Sequence, residues 1–236
     1  MNIEEQVKFY DKYWADKKPL NSLKLRRAVK ILEYLAVVKR KVKNPLIIDL
    51  GCGDGRFTSF VGMFGKTEGL ELSEKAVEEA SKLYPHVKFM YGSALDHPLP
   101  ENTYDVVISQ EVLEHLEDQE AYLKVCHKIL KVNGYLILTT PNKRVFDHLE
   151  GGNWSRQPIE NILSPTELKK IVSRFFKIND YESIIINFGN LGYFKFLNHR
   201  LVIGATRRIG LEKLREYIYG KLGFGIHQCI LAQKRP

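Results

Sequence analysis

The sequence predicts an α/β fold, a largely parallel sheet covered by helices. Three observations carry this. Short apolar runs alternate with segments of helical periodicity from residue 45 onward. The first run, Leu46-Ile47-Ile48-Asp49-Leu50, feeds a turn with Gly51, Gly53 and Gly55 at alternate positions. The second run ends at Glu71, 20 residues beyond Gly51. A strand, a glycine loop and a helix make the ligand crevice of an open α/β sheet, and an acid on the next strand tip can accept from ribose hydroxyls.

In chain order, residues 3–16 and 21–40 read as helices, with Pro19 breaking the chain between them. Leu23, Ala28, Ile31, Leu32 and Leu35 recur at helical spacing in the second, and Tyr10, Tyr13 and Trp14 cluster in the first. Residues 45–50 form strand one and 55–64 a helix. Residues 67–72 form strand two, followed by a helix over 73–83 that Ser73 caps and Pro85 stops. Strand three is 87–91, strand four 105–109, and a helix covers 117–131. Strand five is 134–140, ended by Pro141. Ser164-Pro165-Thr166-Glu167 starts a helix over 164–175. Two last strands fall at 177–187 and 224–233, separated by an insert at 188–221. In that insert Leu191, Phe194, Leu197 and Leu201, then Leu214, Ile218 and Leu222, recur at helical spacing among basic residues.

The loop spacing constrains its ligand. A dinucleotide fingerprint needs a third glycine where Arg56 stands, and the phosphate-loop Gly-Lys-Ser/Thr ending is absent. A pyrophosphate therefore fits poorly, and the carboxylate of Asp49 at the strand tip points to a cationic ligand.

Composition bounds the rest. The 236 residues suffice for one sizeable α/β domain with appendages. No run approaches a membrane-spanning helix, and no signal peptide is expected. Three widely spaced cysteines, Cys52, Cys126 and Cys229, argue against a disulfide framework and predict a cytoplasmic protein. The net charge is +8, but residues 1–44 hold 12 Lys/Arg against 5 Asp/Glu, and 188–221 hold 7 against 2. A mildly acidic core thus carries basic appendages, a pattern that steers anionic substrates, RNA or a membrane surface.

In order, Asp49-Leu50-Gly51-Cys52-Gly53-Asp54-Gly55, Glu71, Asn102-Thr103-Tyr104-Asp105-Val106-Val107, Glu111-Val112-Leu113-Glu114-His115-Leu116 and Leu130-Lys131-Val132-Asn133-Gly134 form a specific set. With them the chain resembles a class I S-adenosylmethionine-dependent methyltransferase, close to the small-molecule and ubiquinone-biosynthesis O-methyltransferase-like group, over roughly residues 45–187. The resemblance implies a Rossmann-like, mostly parallel seven-stranded sheet with helices on both faces and an antiparallel last strand. It divides the chain into an N-terminal helical lid (1–44) and a methyltransferase domain (45–236), with the α-helical insert before the last strand.

The resemblance also implies roles. S-adenosylmethionine, leaving as S-adenosylhomocysteine, is held by Asp49, Gly51, Cys52 and Gly53 at the methionine end. Glu71 and Leu72 take the ribose, and Ser93, Ala94 and Leu95 border the adenine. Gln110 lines the methyl end. Ser93 stands where the family commonly has an acid. His115 is the general base for an alcohol nucleophile. Glu111, Glu114 and His115, read as one helix face, are the alternative as ligands of a divalent metal, which is not the favoured reading. Tyr13, Trp14, His148, Trp154 and Arg156 are candidate contacts for a small-molecule acceptor: a sugar, a quinone- or polyketide-like compound, or a lipid-linked one. An RNA methyltransferase and a non-catalytic cofactor-binding protein are the competing readings. A monomer or homodimer is expected, and the basic amphipathic insert is a candidate for peripheral membrane contact.

Overall fold

The computed structural model describes residues 3–15, 21–150 and 159–235. Its central sheet has seven strands in the order β3-β2-β1-β4-β5-β7-β6. The strands are β1 (Leu46–Leu50), β2 (Lys66–Glu71), β3 (Lys88–Tyr91), β4 (Tyr104–Gln110), β5 (Leu130–Pro141), β6 (Phe176–Ile184) and β7 (His227–Lys234). Pairing is parallel from β3 through β5, and β7 runs antiparallel to both its neighbours. The chain reverses between β1 and β4, so β1 and β4 flank the switch point where ligands bind in such sheets.

Alternation along the strands builds two apolar layers. Ile47, Val106, Ile108 and Ile137 face one side, where Ile31, Leu35 and Val38 of α2 (Ser22–Lys39) and Val61 of α3 (Arg56–Val61) cover them. Ile48, Val107, Leu136 and Leu138 face the other, against α5 (Gln119–Ile129) and α7 (Pro165–Val172). Burial on both faces explains why the central strands read as continuous apolar runs. Truncating a residue such as Ile48 to Ala would cost roughly 2–5 kcal/mol.

Helix starts follow the expected chemistry. Ser73 caps α4 (Glu74–Leu83), and Ser164 with Glu167 forms a complete capping box on α7. Ahead of α2 lies α1 (Ile3–Ala15).

Four differences from the sequence reading stand out. β5 begins at Leu130 rather than 134, because Leu130 pairs with Tyr104 before a register shift. β6 stops at Ile184, since Ile185 adopts φ +62°, outside the extended region. The loop after β5 contains a short helix, α6 (Lys143–Phe146), that no periodicity announced. The insert resolves into α8 (Phe194–Leu197), α9 (Arg200–Arg208) and α10 (Glu212–Leu222). Among the described residues, no helix is long and apolar enough to cross a membrane.

Candidate active site

The loop between β1 and α3 turns through left-handed backbone at Gly51, Gly53 and Gly55, with φ of +76°, +55° and +70°. A side chain there would be strained and would also collide. A Cβ on Gly51 would meet Val112 Cγ2 at 2.4 Å, and one on Gly53 would meet the Trp14 ring at 2.5 Å. Only glycine lets the β4 turn and helix α1 lie this close to the loop.

The two strand-tip acids are buried and handled differently. Asp49 Oδ2 accepts from the Thr58 hydroxyl at 2.6 Å, while its Oδ1 has no hydrogen-bond partner among the described residues. Burial pushes the Asp49 carboxyl up to about 7; the Thr58 hydrogen bond partly offsets this and the nearby Glu71 charge adds to it. Glu71 accepts main-chain N–H groups from Gly53 at 2.8 Å and Ser73 at 3.0 Å. Burial raises its pKa, against the pull of those donors. A carboxylate has about four acceptor sites, so Glu71 keeps capacity for hydroxyl donors.

Helix α1 closes over this region. Ser73 Oγ donates to Asp11 Oδ1 at 2.6 Å, and Tyr13 meets Trp14 edge-to-face at 5.1 Å. Burial raises the Tyr10 pKa, and the charges of Glu71 and Glu114 raise it further, so its hydroxyl lies near both acids. Buried, unpartnered polar atoms are rare in folded proteins. Here Trp14 Nε1, Asp49 Oδ1 and Gln110 Oε1 are three of them, all next to the glycine loop. Together they make a polar crevice whose acidic lining has the chemistry to fit a cationic sulfonium cofactor with a ribose. Cys52 is buried in the same loop, where burial holds its thiol protonated and unreactive. Ser93 turns its hydroxyl to the Leu95 N–H at 3.2 Å, in a tight turn after β3 that includes Ala94. Leu72 lies between Glu71 and the capping Ser73.

The stretch after β4 departs from the sequence reading. Glu111, Glu114 and His115 do not share a helix face. Glu111 adopts φ +56°, and only Leu113–His115 makes a single 3-10 turn. Glu111 accepts from Thr139 at 3.0 Å and lies 2.9 Å from His227 Nδ1 and 3.6 Å from Arg27. Arg27 also lies 3.1 Å from His227 Nε2. Guanidinium donates only, so Nε2 carries the lone pair, and Nδ1 faces Glu111 without a well-aligned hydrogen bond. Burial opposes ionisation of Glu111, but Arg27 and His227 outweigh it and lower its pKa. Glu114, buried and facing the Glu111 charge, instead has its pKa raised well above the ordinary carboxyl value. Its Oε2 accepts from Thr140 at 2.9 Å.

His115 ends this turn. Its Nδ1 lies 2.9 Å from the Ile159 carbonyl, so Nδ1 carries the proton and Nε2 is the basic nitrogen. Nε2 sits 3.6 Å from Glu114 Oε1. Burial lowers the His115 pKa against the Ile159 carbonyl, keeping the ring neutral. Among the described residues no three His, Cys, Asp or Glu side chains converge as metal ligands, because Glu111 is turned to Arg27 and His227. His148 lies just beyond α6, after the carboxyl end of β5. Its Nδ1 bonds the Arg144 carbonyl at 2.8 Å and its ring meets Tyr193 and Phe194 of the insert. Trp154 and Arg156 lie outside the described residues.

Several participants carried no sequence signal. Thr58, Asp11, Arg27, Thr140 and His227 are ordinary polar residues, and Arg27 meets His227 across 200 positions.

Residues 48–138 match the model of the methyltransferase domain family. A Mycolicibacterium smegmatis protein named as a probable S-adenosylmethionine-dependent methyltransferase is 31% identical over 101 residues, 42% of this chain and 39% of its own length. The mitochondrial ubiquinone biosynthesis O-methyltransferase of Bos taurus is 28% identical over 183 residues, 65% of this chain and 48% of that one. The ubiquinone biosynthesis O-methyltransferase of Pseudomonas putida is 29% identical over 141 residues, 55% of this chain and 58% of that one. The chain thus spans about 39–58% of the length of these curated relatives. Among solved structures, the PH0226 protein of Pyrococcus horikoshii superposes with TM-score 0.64 at 17% identity, covering 95% of this chain and 99% of that one. An S-adenosylmethionine-dependent methyltransferase of Mesorhizobium loti gives 0.58 at 19%, covering 86% and 96%. The cyclase SpnF also gives 0.58 at 19%, covering 86% and 81%. At such identities the likeness speaks for the fold, and a fold hosts more than one chemistry.

Proposed function

We propose that this chain, which carries a class I S-adenosylmethionine-dependent methyltransferase domain, methylates a hydroxyl of a small-molecule acceptor with His115 as general base. S-adenosylmethionine, when bound, supplies an electrophilic methyl group on a sulfonium. Asp49 and the bare main chain at Gly51 and Gly53 would hold its methionine portion, and Glu71 its ribose. Ser93, Ala94 and Leu95 would border the adenine, and Gln110 the methyl end. Helix α1 acts as the lid: Trp14 and Tyr13 shed water from the site, and Asp11 latches the lid to Ser73.

The observation that carries the reading is the tautomer of His115. With Nδ1–H committed to the Ile159 carbonyl, Nε2 is a neutral base held in one orientation. It would take the hydroxyl proton as the oxygen attacks. Burial lowers the His115 pKa, and burial together with the Glu111 charge raises that of the neighbouring Glu114. The two ubiquinone biosynthesis relatives, named as O-methyltransferases, lend support to oxygen as the acceptor atom.

Calorimetry with S-adenosylmethionine tests the first half, and absence of binding sinks the whole reading. A radiolabelled methyl-transfer screen across extract fractions identifies the acceptor. Against that acceptor, His115→Ala should leave cofactor affinity unchanged and lower kcat by about 10²–10⁴. The acid limb of the wild-type profile should fall below pH 6.5. A limb above that value, or full activity in His115→Ala, removes His115 from the role.

A further inference from the structure

The insert wears its apolar residues outward. On α9, Leu201, Val202, Ala205 and Ile209 form one stripe at helical spacing, and all four are exposed, Leu201 to 71% and Ile209 to 66%. The helix rests on the body through half-buried Ile203 and Thr206, and none of its residues is fully buried. α10 is turned the same way. It buries Arg215 and Gly220, while Leu211, Leu214, Ile218 and Leu222 line its exposed side. Phe196, just before α9, is 76% exposed. Contiguous exposed apolar surface of this kind marks an interaction site.

Two features identify the occupant. First, the stripe is set among positive charges: Lys195, Arg200, Arg207 and Arg208 surround it, and 188–221 hold 7 Lys/Arg against 2 Asp/Glu. A second copy docking by the same patch would set like charge against like charge. An RNA backbone would meet the arginines but leave the aliphatic stripe unused. Only an apolar layer beneath an anionic surface answers both the stripe and the charges. Second, the insert emerges at a particular edge. It leaves β6 at Ile184 and re-enters at His227, and both pair near Pro141 at the carboxyl end of β5. That is the carboxyl end of the parallel strands, from which the glycine loop also leaves β1.

We propose that α9 and α10 seat this protein on the surface of an anionic lipid bilayer, with the Leu201–Ile209 and Leu214–Leu222 stripes in the acyl boundary and Arg200 and Arg208 on the lipid phosphates. The docked protein then presents its ligand-binding edge to the bilayer. The docking stands apart from the proposed methyl transfer, because it involves no residue of the cofactor site.

The test is flotation of the full chain with vesicles of phosphatidylcholine alone and of phosphatidylcholine mixed with phosphatidylglycerol. The wild type should float with the anionic vesicles only. Arg200→Gln with Arg208→Gln should weaken that binding by about 25-fold, from roughly fivefold per basic residue. Leu201→Ser with Ile209→Ser should weaken it at least about tenfold at unchanged charge. All four positions are exposed, so the variants should fold, and their calorimetric affinity for S-adenosylmethionine should match wild type. No flotation with anionic vesicles overturns the proposal. So does flotation indifferent to the Leu201/Ile209 pair, which is plain electrostatic adsorption. A concentration-dependent dimer that Leu201→Ser dissociates assigns the stripe to a second copy, and salt-sensitive RNA capture without flotation assigns the charges to RNA. Either result overturns it too.

Discussion

Asp49→Asn should stabilise the ligand-free protein and at the same time damage its cofactor site. Burial lifts the Asp49 carboxyl from an ordinary value of 3.8 to about 7, so the native state holds a proton that the unfolded chain releases. Between those two values stability falls as pH rises, and above about 7 the full loss is in place. At about 1.36 kcal/mol per pH unit the whole displacement amounts to about 4 kcal/mol, of which about 1.6 is already lost at pH 5. The amide of Asp49→Asn does not ionise, and its oxygen can still accept from Thr58. Its NH₂ group is left without an acceptor, which costs about 1–3 kcal/mol at every pH. The net gain at pH 8 is therefore about 1–3 kcal/mol, and the pH-dependent part is the cleaner signature. Urea unfolding at pH 5 and pH 8 should show the difference from wild type growing by about 2.7 kcal/mol in favour of the variant. Calorimetry at pH 8 should show S-adenosylmethionine bound at least about tenfold more weakly, since one charge-assisted contact is worth about 1.5–3 kcal/mol. A stability difference that is flat with pH refutes the argument, as does a variant less stable than wild type at pH 8.

Other outcomes follow from the same geometry. Glu114→Gln should cost clearly less at pH 7 than the loss of a buried ion pair, because burial and the Glu111 charge already disfavour its anion. Glu111→Gln, three residues away, should cost about 3–5 kcal/mol by leaving Arg27 buried without its partner charge. Chemical denaturation of the pair checks both, and equal losses would mean the two acids share one protonation state. Gly53→Ala should displace the Trp14 ring, seen as a red shift of tryptophan emission. A spectrum unchanged from wild type would mean Trp14 does not rest on the loop in solution.

Much of the fold was legible because both faces of the sheet are covered. Strands such as Ile47-Ile48-Asp49-Leu50 must then be apolar on both sides, and Ser73 and Ser164 announce the helices that follow them. The glycine loop was legible for a different reason. Gly51 and Gly53 tolerate no side chain, so the constraint is written at those positions. What lay hidden depends on contacts between distant segments. Thr58 under Asp49 and Asp11 on Ser73 are polar residues among many, and nothing local marks them. Helix α6 is a single turn, too short for periodicity to register.

The Glu-x-x-Glu-His stretch shows how offset alone misleads. The letters place two acids and an imidazole on one helical face, which is the arrangement a metal would use. The chain takes left-handed backbone at Glu111 instead, and its carboxylate lies beside Arg27 and His227 while its charge still acts on Glu114. Two carboxyls three residues apart then have pKa values pushed in opposite directions: Arg27 holds that of Glu111 down, while burial and the Glu111 charge hold that of Glu114 up beside His115. Had both stayed together and ionised, His115 would face two negative charges, and its pKa would be drawn upward rather than down. Burial is what lowers the His115 pKa, and the Glu111 charge works against it. It follows that Arg27→Met should lower the acid limb of the pH–rate profile, because losing its partner charge raises the Glu111 pKa and weakens the negative charge that draws the His115 pKa upward. A profile that keeps its acid limb while activity falls uniformly would mean the Arg27 network only holds the fold.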